Sequence, residues 1–193
     1  MNTPILNPEE IMTLFNQTGM LPYETIKHKV LFFMGVDPGG SSGAIAVIGV
    51  DIASNEIIGM AHNEFSKRTL KEWYNFIKGW DITHCVVENV HSMPRQGIVS
   101  AMKFGQNLGQ IEMALTAAEV PFEKVTPQKW VKFYGMKKDK DESQTQWKRR
   151  LRERLQQLIP SLKVTNNIAD AYLIAYYNLK QYLLTQKDVG DDT

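Results

Sequence analysis

Three apolar runs, Val30–Val36, Ala44–Val50 and Glu56–Phe65, follow one another with only short turn-forming segments between them. Parallel neighbours need a crossover of a dozen or more residues, so the spacing predicts an antiparallel three-stranded meander. The first run ends in Asp37-Pro38-Gly39-Gly40-Ser41-Ser42-Gly43, a turn-rich segment. Thr69–Gly79 then reads as a helix, opened by a threonine cap and closed by glycine. Ile82–Val90 is almost wholly apolar and short, the pattern of a central strand covered on both faces.

After a loop over His91–Gly97, Ile98–Glu119 has the periodicity of a long amphipathic helix. It carries Gly105 and Gly109 four residues apart, which costs helix stability unless another backbone comes close there. A partner helix, or the chain's own sheet, could supply that approach. Val120–Thr126 reads as a last strand, and Pro127 opens a short helix through Tyr134. Ser143–Ile159 and Asn166–Leu184 read as helices. This order of elements predicts an α/β domain with a mixed sheet. A helical extension over 1–28, capped by Asn7 and Pro8, precedes it; the domain spans 29–185, and 186–193 is a polar tail.

Composition narrows the class. Of 193 residues, 43% are hydrophobic and 22% charged, which excludes disordered, collagen-like and disulfide-built chains. No apolar run approaches the roughly 20 residues of a membrane span, and no leader pattern opens the chain. The single cysteine, Cys85, allows no intrachain disulfide or thiolate zinc cluster and reads as a buried core thiol, so a reducing, cytoplasmic setting is expected. The net charge of +1 hides an asymmetry: Lys124–Arg154 holds eleven Lys or Arg against four Asp or Glu. A basic block on a slightly acidic body fits a polyanion met at one place, or a solvated helix.

Three acidic residues stand in unusual surroundings. Asp37 closes an apolar strand before a turn, where it serves either the turn or a ligand. Glu88 interrupts a strand that should be buried, where a lone carboxylate costs several kcal/mol. Asp170 lies near the start of a core helix, three residues after Asn167, so both side chains can share a face. If the fold gathers these carboxylates, oxygen-only donors select hard divalent cations such as Mg²⁺ or Mn²⁺. Beside a basic block, the matching anion is a nucleic-acid phosphate and the matching chemistry is metal-assisted phosphodiester hydrolysis. His28, His62, His84 and His91 lack zinc-ligand spacing.

Five segments occur in an informative order and spacing: Val36-Asp37-Pro38-Gly39, Val87-Glu88-Asn89-Val90, Lys103-Phe104-Gly105-Gln106-Asn107-Leu108-Gly109, Thr126-Pro127-Gln128 and Ile168-Ala169-Asp170-Ala171. From about Leu31 to Tyr177 the chain resembles the RuvC-like Holliday junction resolvases. Pro127-Gln128-Lys129-Trp130 followed by Gly135-Met136-Lys137 resembles the phage-encoded branch most. The resemblance implies an RNase H-like five-stranded mixed sheet flanked by helices, a homodimer, no small-molecule cofactor, and cleavage of four-way DNA junctions. Two Mg²⁺ ions, with Mn²⁺ as an alternative, would serve paired nicks leaving 5′-phosphate and 3′-hydroxyl ends, in the host cytoplasm if the protein is phage-encoded.

By the same resemblance Asp37, Glu88 and Asp170 match metal-binding carboxylates, and the fourth such position holds the uncharged Asn167. Lys129 or Lys132, and Lys138 or Lys140, resemble the active-site and phosphate-binding lysines, with Lys132 and Lys140 taken as the catalytic pair. His91, Arg95, Lys129, Lys137, Lys138, Lys148, Arg149 and Arg150 are the expected DNA contacts, with Arg152 beside them. Trp130 and Trp147 fit packing better than base stacking. Two other classes compete: a non-catalytic junction-binding module, favoured by Asn167, and an actin- or sugar-kinase-like ATPase, disfavoured because such proteins need two domains of this kind.

Overall fold

The computed structural model describes residues 30–39, 43–67, 69–90 and 97–190. The expected extension over 1–28, and the loop bearing His91 and Arg95, lie outside the described residues. Five strands, β1 (Val30–Asp37), β2 (Ala44–Asp51), β3 (Glu56–Glu64), β4 (Ile82–Glu88) and β5 (Phe122–Val125), form one sheet in the order β3-β2-β1-β4-β5. The β1–β2 and β2–β3 pairs are antiparallel, as the short connections require. The β1–β4 and β4–β5 pairs are parallel, and α1 (Leu70–Lys78) and α2 (Ile98–Ala117) lie in their crossovers.

The two faces of the sheet hold separate cores. Phe33, Ala46, Ile48 and Val86 face α3 (Pro127–Phe133), α4 (Gln144–Leu158) and α5 (Asn166–Gly190). Met34, Val36, Cys85 and Val87 face α1 and α2. Both parities of β1 and β4 are thus largely buried, which explains their mostly apolar sequence. Cys85 is a buried thiol, and burial pushes its pKa up. Thr69 and Ser143 each close a capping box, with Glu72 and Gln146, and so set where α1 and α4 start. Among the described residues no helix is long and apolar enough to cross a membrane. The last helix runs on to Gly190, into the expected tail, because a helix already packed along its length adds turns at little cost.

One contact fixes how α5 lies on the sheet. Gly35, in mid-β1, faces α5 so closely that a Cβ there would stand 2.2 Å from the Ala175 backbone nitrogen and 2.3 Å from the Ala171 carbonyl oxygen. Only a residue without a side chain allows this approach. Since neither backbone can yield, Gly35→Ala is expected to destabilise the protein by at least about 1–3 kcal/mol, read as a fall in the chemical-denaturation midpoint. A midpoint equal to that of the parent chain would mean that α5 is not seated on Gly35.

Candidate active site

The β1–β4 register pairs Val36 with Val87, so Asp37 and Glu88 end adjacent parallel strands at neighbouring positions. Asp37 lies on the same parity as Phe33 and Gly35, and Glu88 on that of Val86, so both carboxylates point to the α5 face. The close seat of α5 on β1 brings Asp170, in its second turn, over the same end of the sheet. All three carboxylates are buried, Asp170 to 5% exposure.

Each is held differently. Asp37 Oδ1 accepts from the Gly39 amide at 3.1 Å, and Glu88 Oε1 accepts from the Trp130 indole N–H at 2.9 Å. Asp170 Oδ2 is ion-paired with the Lys148 ammonium, which reaches in from α4, while Asp170 Oδ1 is buried with no hydrogen-bond partner among the described residues. Behind Asp37, the Asn107 side-chain amide donates to the Pro38 carbonyl at 2.8 Å and ties α2 to the turn. Trp130 and Trp147 are buried, as packing residues should be.

Burial is the largest influence on all three acids. It raises Asp37 to about 6, with the Asp170 charge adding to the rise and Lys148 and the Gly39 amide opposing it. It raises Glu88 to about 8, helped by Asp37 and opposed by the Trp130 bond. Asp170 is also raised by burial, against the pull of Lys148. For Lys148 burial favours loss of the proton, but Asp170, Asp37 and Glu88 together outweigh it and hold the ammonium charged.

Among the described residues no three His, Cys, Asp or Glu side chains close into a ready cation cage. The carboxylates gather on the field of Lys148 instead. The donor set still suits a hard divalent cation: it is all oxygen, buried, mutually repelling, and includes the unpartnered Asp170 Oδ1. Such a group can hold a cation against a phosphate while the lysine meets the negative charge.

No protein-family model matches the chain, and no curated protein sequence matches it. Solved structures do. T. thermophilus RuvC in complex with Holliday junction substrate aligns with a TM-score of 0.52 at 19% identity, over 76% of this chain and 92% of that one. The Fowlpox virus resolvase in complex with substrate Holliday junction DNA aligns with a TM-score of 0.51 at 14% identity, over 80% of this chain and 99% of that one. The fold is that of the Holliday junction resolvases.

Within this resolvase fold the sequence-derived residues separate into groups. Asp37, Glu88 and Asp170 come together as expected. Asn167 donates through Nδ2 to Glu64 Oε2 at 2.9 Å, at the end of β3. Lys132, in the last turn of α3, and Lys140, in the loop before α4, are exposed, and the lysine paired with Asp170 is Lys148. Lys148 was expected on the DNA backbone; α4 turns it inward because Trp147 and Leu151 on either side are core residues. Lys129, Lys137 and Lys138 are exposed, with Lys138 bonded to Gln144 at 2.8 Å. Arg149 pairs with Glu153 at 2.7 Å. Arg150 binds Glu142 at 2.9 Å and sits over the Trp147 ring, so it braces the loop before α4. Two contributors escaped the sequence reading, Asn107 and Glu64. Asn107 alone left a trace, as a polar residue on the buried side of an amphipathic helix.

The raised acids fix a pH dependence. Native Glu88 keeps its proton up to about 8 and Asp37 up to about 6, while the unfolded chain releases them near 4.5 and 3.8. Between those values the unfolded state holds fewer protons, so stability falls as pH rises. Without divalent ions, the melting temperature is expected to fall from pH 5 to 8 by more than in Glu88→Gln. Parallel profiles for the two proteins would contradict the burial of an ionisable Glu88.

Proposed function

We propose that this protein is a structure-selective endonuclease that cuts four-way DNA junctions by paired, divalent-metal-dependent hydrolysis, leaving 5′-phosphate and 3′-hydroxyl nicks. The observation that carries the reading is the convergence of three buried carboxylates and one ammonium, from β1, β4, α5 and α4, at one end of a resolvase-fold sheet. Asp37, Glu88 and Asp170 hold Mg²⁺ or Mn²⁺, two ions per site, with the Asn167 carbonyl as a neutral donor. When bound, the ions polarise the scissile phosphate and lower the pKa of the attacking water.

The chain's own groups do the rest. The Trp130 N–H fixes the direction of the Glu88 carboxylate, and the Gly39 amide that of Asp37. Asn107 keeps the Pro38-Gly39 turn in place behind it. Lys148, held beside Asp170 at the same sheet end, could meet negative charge developing on the phosphate. The exposed Lys129, Lys132, Lys137, Lys138 and Lys140, on α3 and the following loop, give a backbone-binding surface; His91 and Arg95, outside the described residues, are further DNA contacts by the sequence resemblance alone. The Pro127-Gln128-Lys129-Trp130 segment supports a phage-branch origin and a cytoplasmic setting, with roles in recombination and repair.

The two-fold character of a four-way junction calls for two sites, hence a homodimer. The outer side of α2 supports one. Ile98, Met102, Gly105, Gly109 and Met113 fall in one helical stripe; Met102 is 70% and Met113 66% exposed, and nothing among the described residues comes within 4 Å of a Cβ at either glycine. Asn107, Ile111 and Leu115 bury the opposite side. A second copy of the helix could therefore approach closely at Gly105 and Gly109.

On a labelled four-way junction with Mg²⁺, paired nicks are expected, abolished in Asp37→Asn and slowed about 100-fold in Lys148→Ala. Lys132→Ala and Lys140→Ala should weaken binding more than they slow the chemistry. Junction binding without cutting, whatever the divalent ion, would leave a non-catalytic binding module. By light scattering, the parent chain is expected at twice its 22.0 kDa mass and Met102→Glu/Met113→Glu at the single mass. A monomeric parent would overturn the dimer.

A further inference from the structure

The Asn167 contact leads beyond the three carboxylates. Glu64 closes β3 directly opposite Ala44, and Ala44 is opposite Asp37, so the three occupy one row across the sheet. Cross-strand partners point to the same face, which places Glu64 on the α5 side, two strands from Asp37, or about 10 Å between Cα atoms. Ala44 leaves only a methyl group between them. Above this row, Asn167 and Asp170 are three residues apart on α5, neighbours on its surface. The Asn167 amide donates to Glu64 on one side, and one turn further on lies the buried, unpartnered Asp170 Oδ1.

We infer that Glu64 supplies the fourth negative charge of the metal centre, held at its edge from β3 by the Asn167 amide. The inference rests on the carboxylate–cation reading proposed above. A carboxylate at 167 would stand within hydrogen-bond distance of Glu64, and two ionised acids that close repel. An amide removes the conflict: its N–H favours the ionised form of Glu64, and its carbonyl remains a neutral hard donor. One charge is therefore kept in this corner, on the strand rather than on the helix.

The experiment is calorimetric titration of the full chain with MnCl₂, repeated with MgCl₂, for the parent, Glu64→Gln, the exchange Glu64→Gln/Asn167→Asp, and Asp37→Asn. Near-UV circular dichroism checks that each variant is folded. Glutamine can still accept from Asn167, so Glu64→Gln removes the charge while keeping that hydrogen bond. Glu64→Gln is expected to bind the ion about 10-fold or more weakly, and the exchange, which returns the charge to α5, to recover to within about 3-fold of the parent. Parent-like affinity in Glu64→Gln while Asp37→Asn loses binding would overturn the role of Glu64 and leave the metal centre standing. An exchange variant no tighter than Glu64→Gln would overturn it equally. If Asp37→Asn binds like the parent, the metal centre itself fails, and Glu64 with it.

Discussion

The seat of α5 on Gly35 is the contact on which the rest of the molecule turns. Main chain meets main chain there, with Ala171 and Ala175 contributing only methyl groups on the helix side. A larger residue at 35 would lift the helix, and Asp170, one residue from Ala171, would move with it. The position of the Asp170 carboxylate is therefore set by a glycine at the middle of a strand. Strand β1 contributes both the platform for the helix and, two residues later, Asp37 itself.

That geometry creates an electrostatic problem with a functional answer. Three acids are buried at one sheet end, and each is pushed toward its neutral form by burial. A single ammonium, Lys148, partly compensates them. Buried charge of this kind is costly, and the cations proposed above would relieve it. The groups around it, the Trp130 indole, the Gly39 amide and the Asn107 brace, orient the acids without neutralising them. The basic block divides accordingly. Lys148 faces inward, Arg150 secures a loop through Glu142 and Trp147, and the lysines of α3 and the loop after it stay exposed.

Helix α2 joins the two levels of organisation. Its inner side fills the core with Ile111 and Leu115 and holds the Asp37 turn through Asn107, while its outer side carries the exposed methionines and the two glycines. In the proposed dimer, a partner on that outer face would pack on the same helix that braces the Asp37 turn.

Much of this was legible in the chain. Short connections dictated the meander, continuous apolar runs marked the two central strands, and Glu88 stood out because a buried strand has no use for a lone acid. The five strands and the helices follow from local rules of period, turn chemistry and burial cost, whereas the grouping of Asp37, Glu88 and Asp170 came from the family resemblance. Which lysine joins them did not follow. Lys132, Lys140 and Lys148 look alike in a basic stretch, and only the packing of Trp147 and Leu151 turns Lys148 toward Asp170. The partnership of Glu64 with Asn167 was equally hidden, since 103 residues separate them and nothing local in either marks the other. Sequence thus determined which residue types lie on which elements, because those depend on near neighbours; the tertiary structure alone decided which charges meet, because that depends on how a helix lies across a sheet.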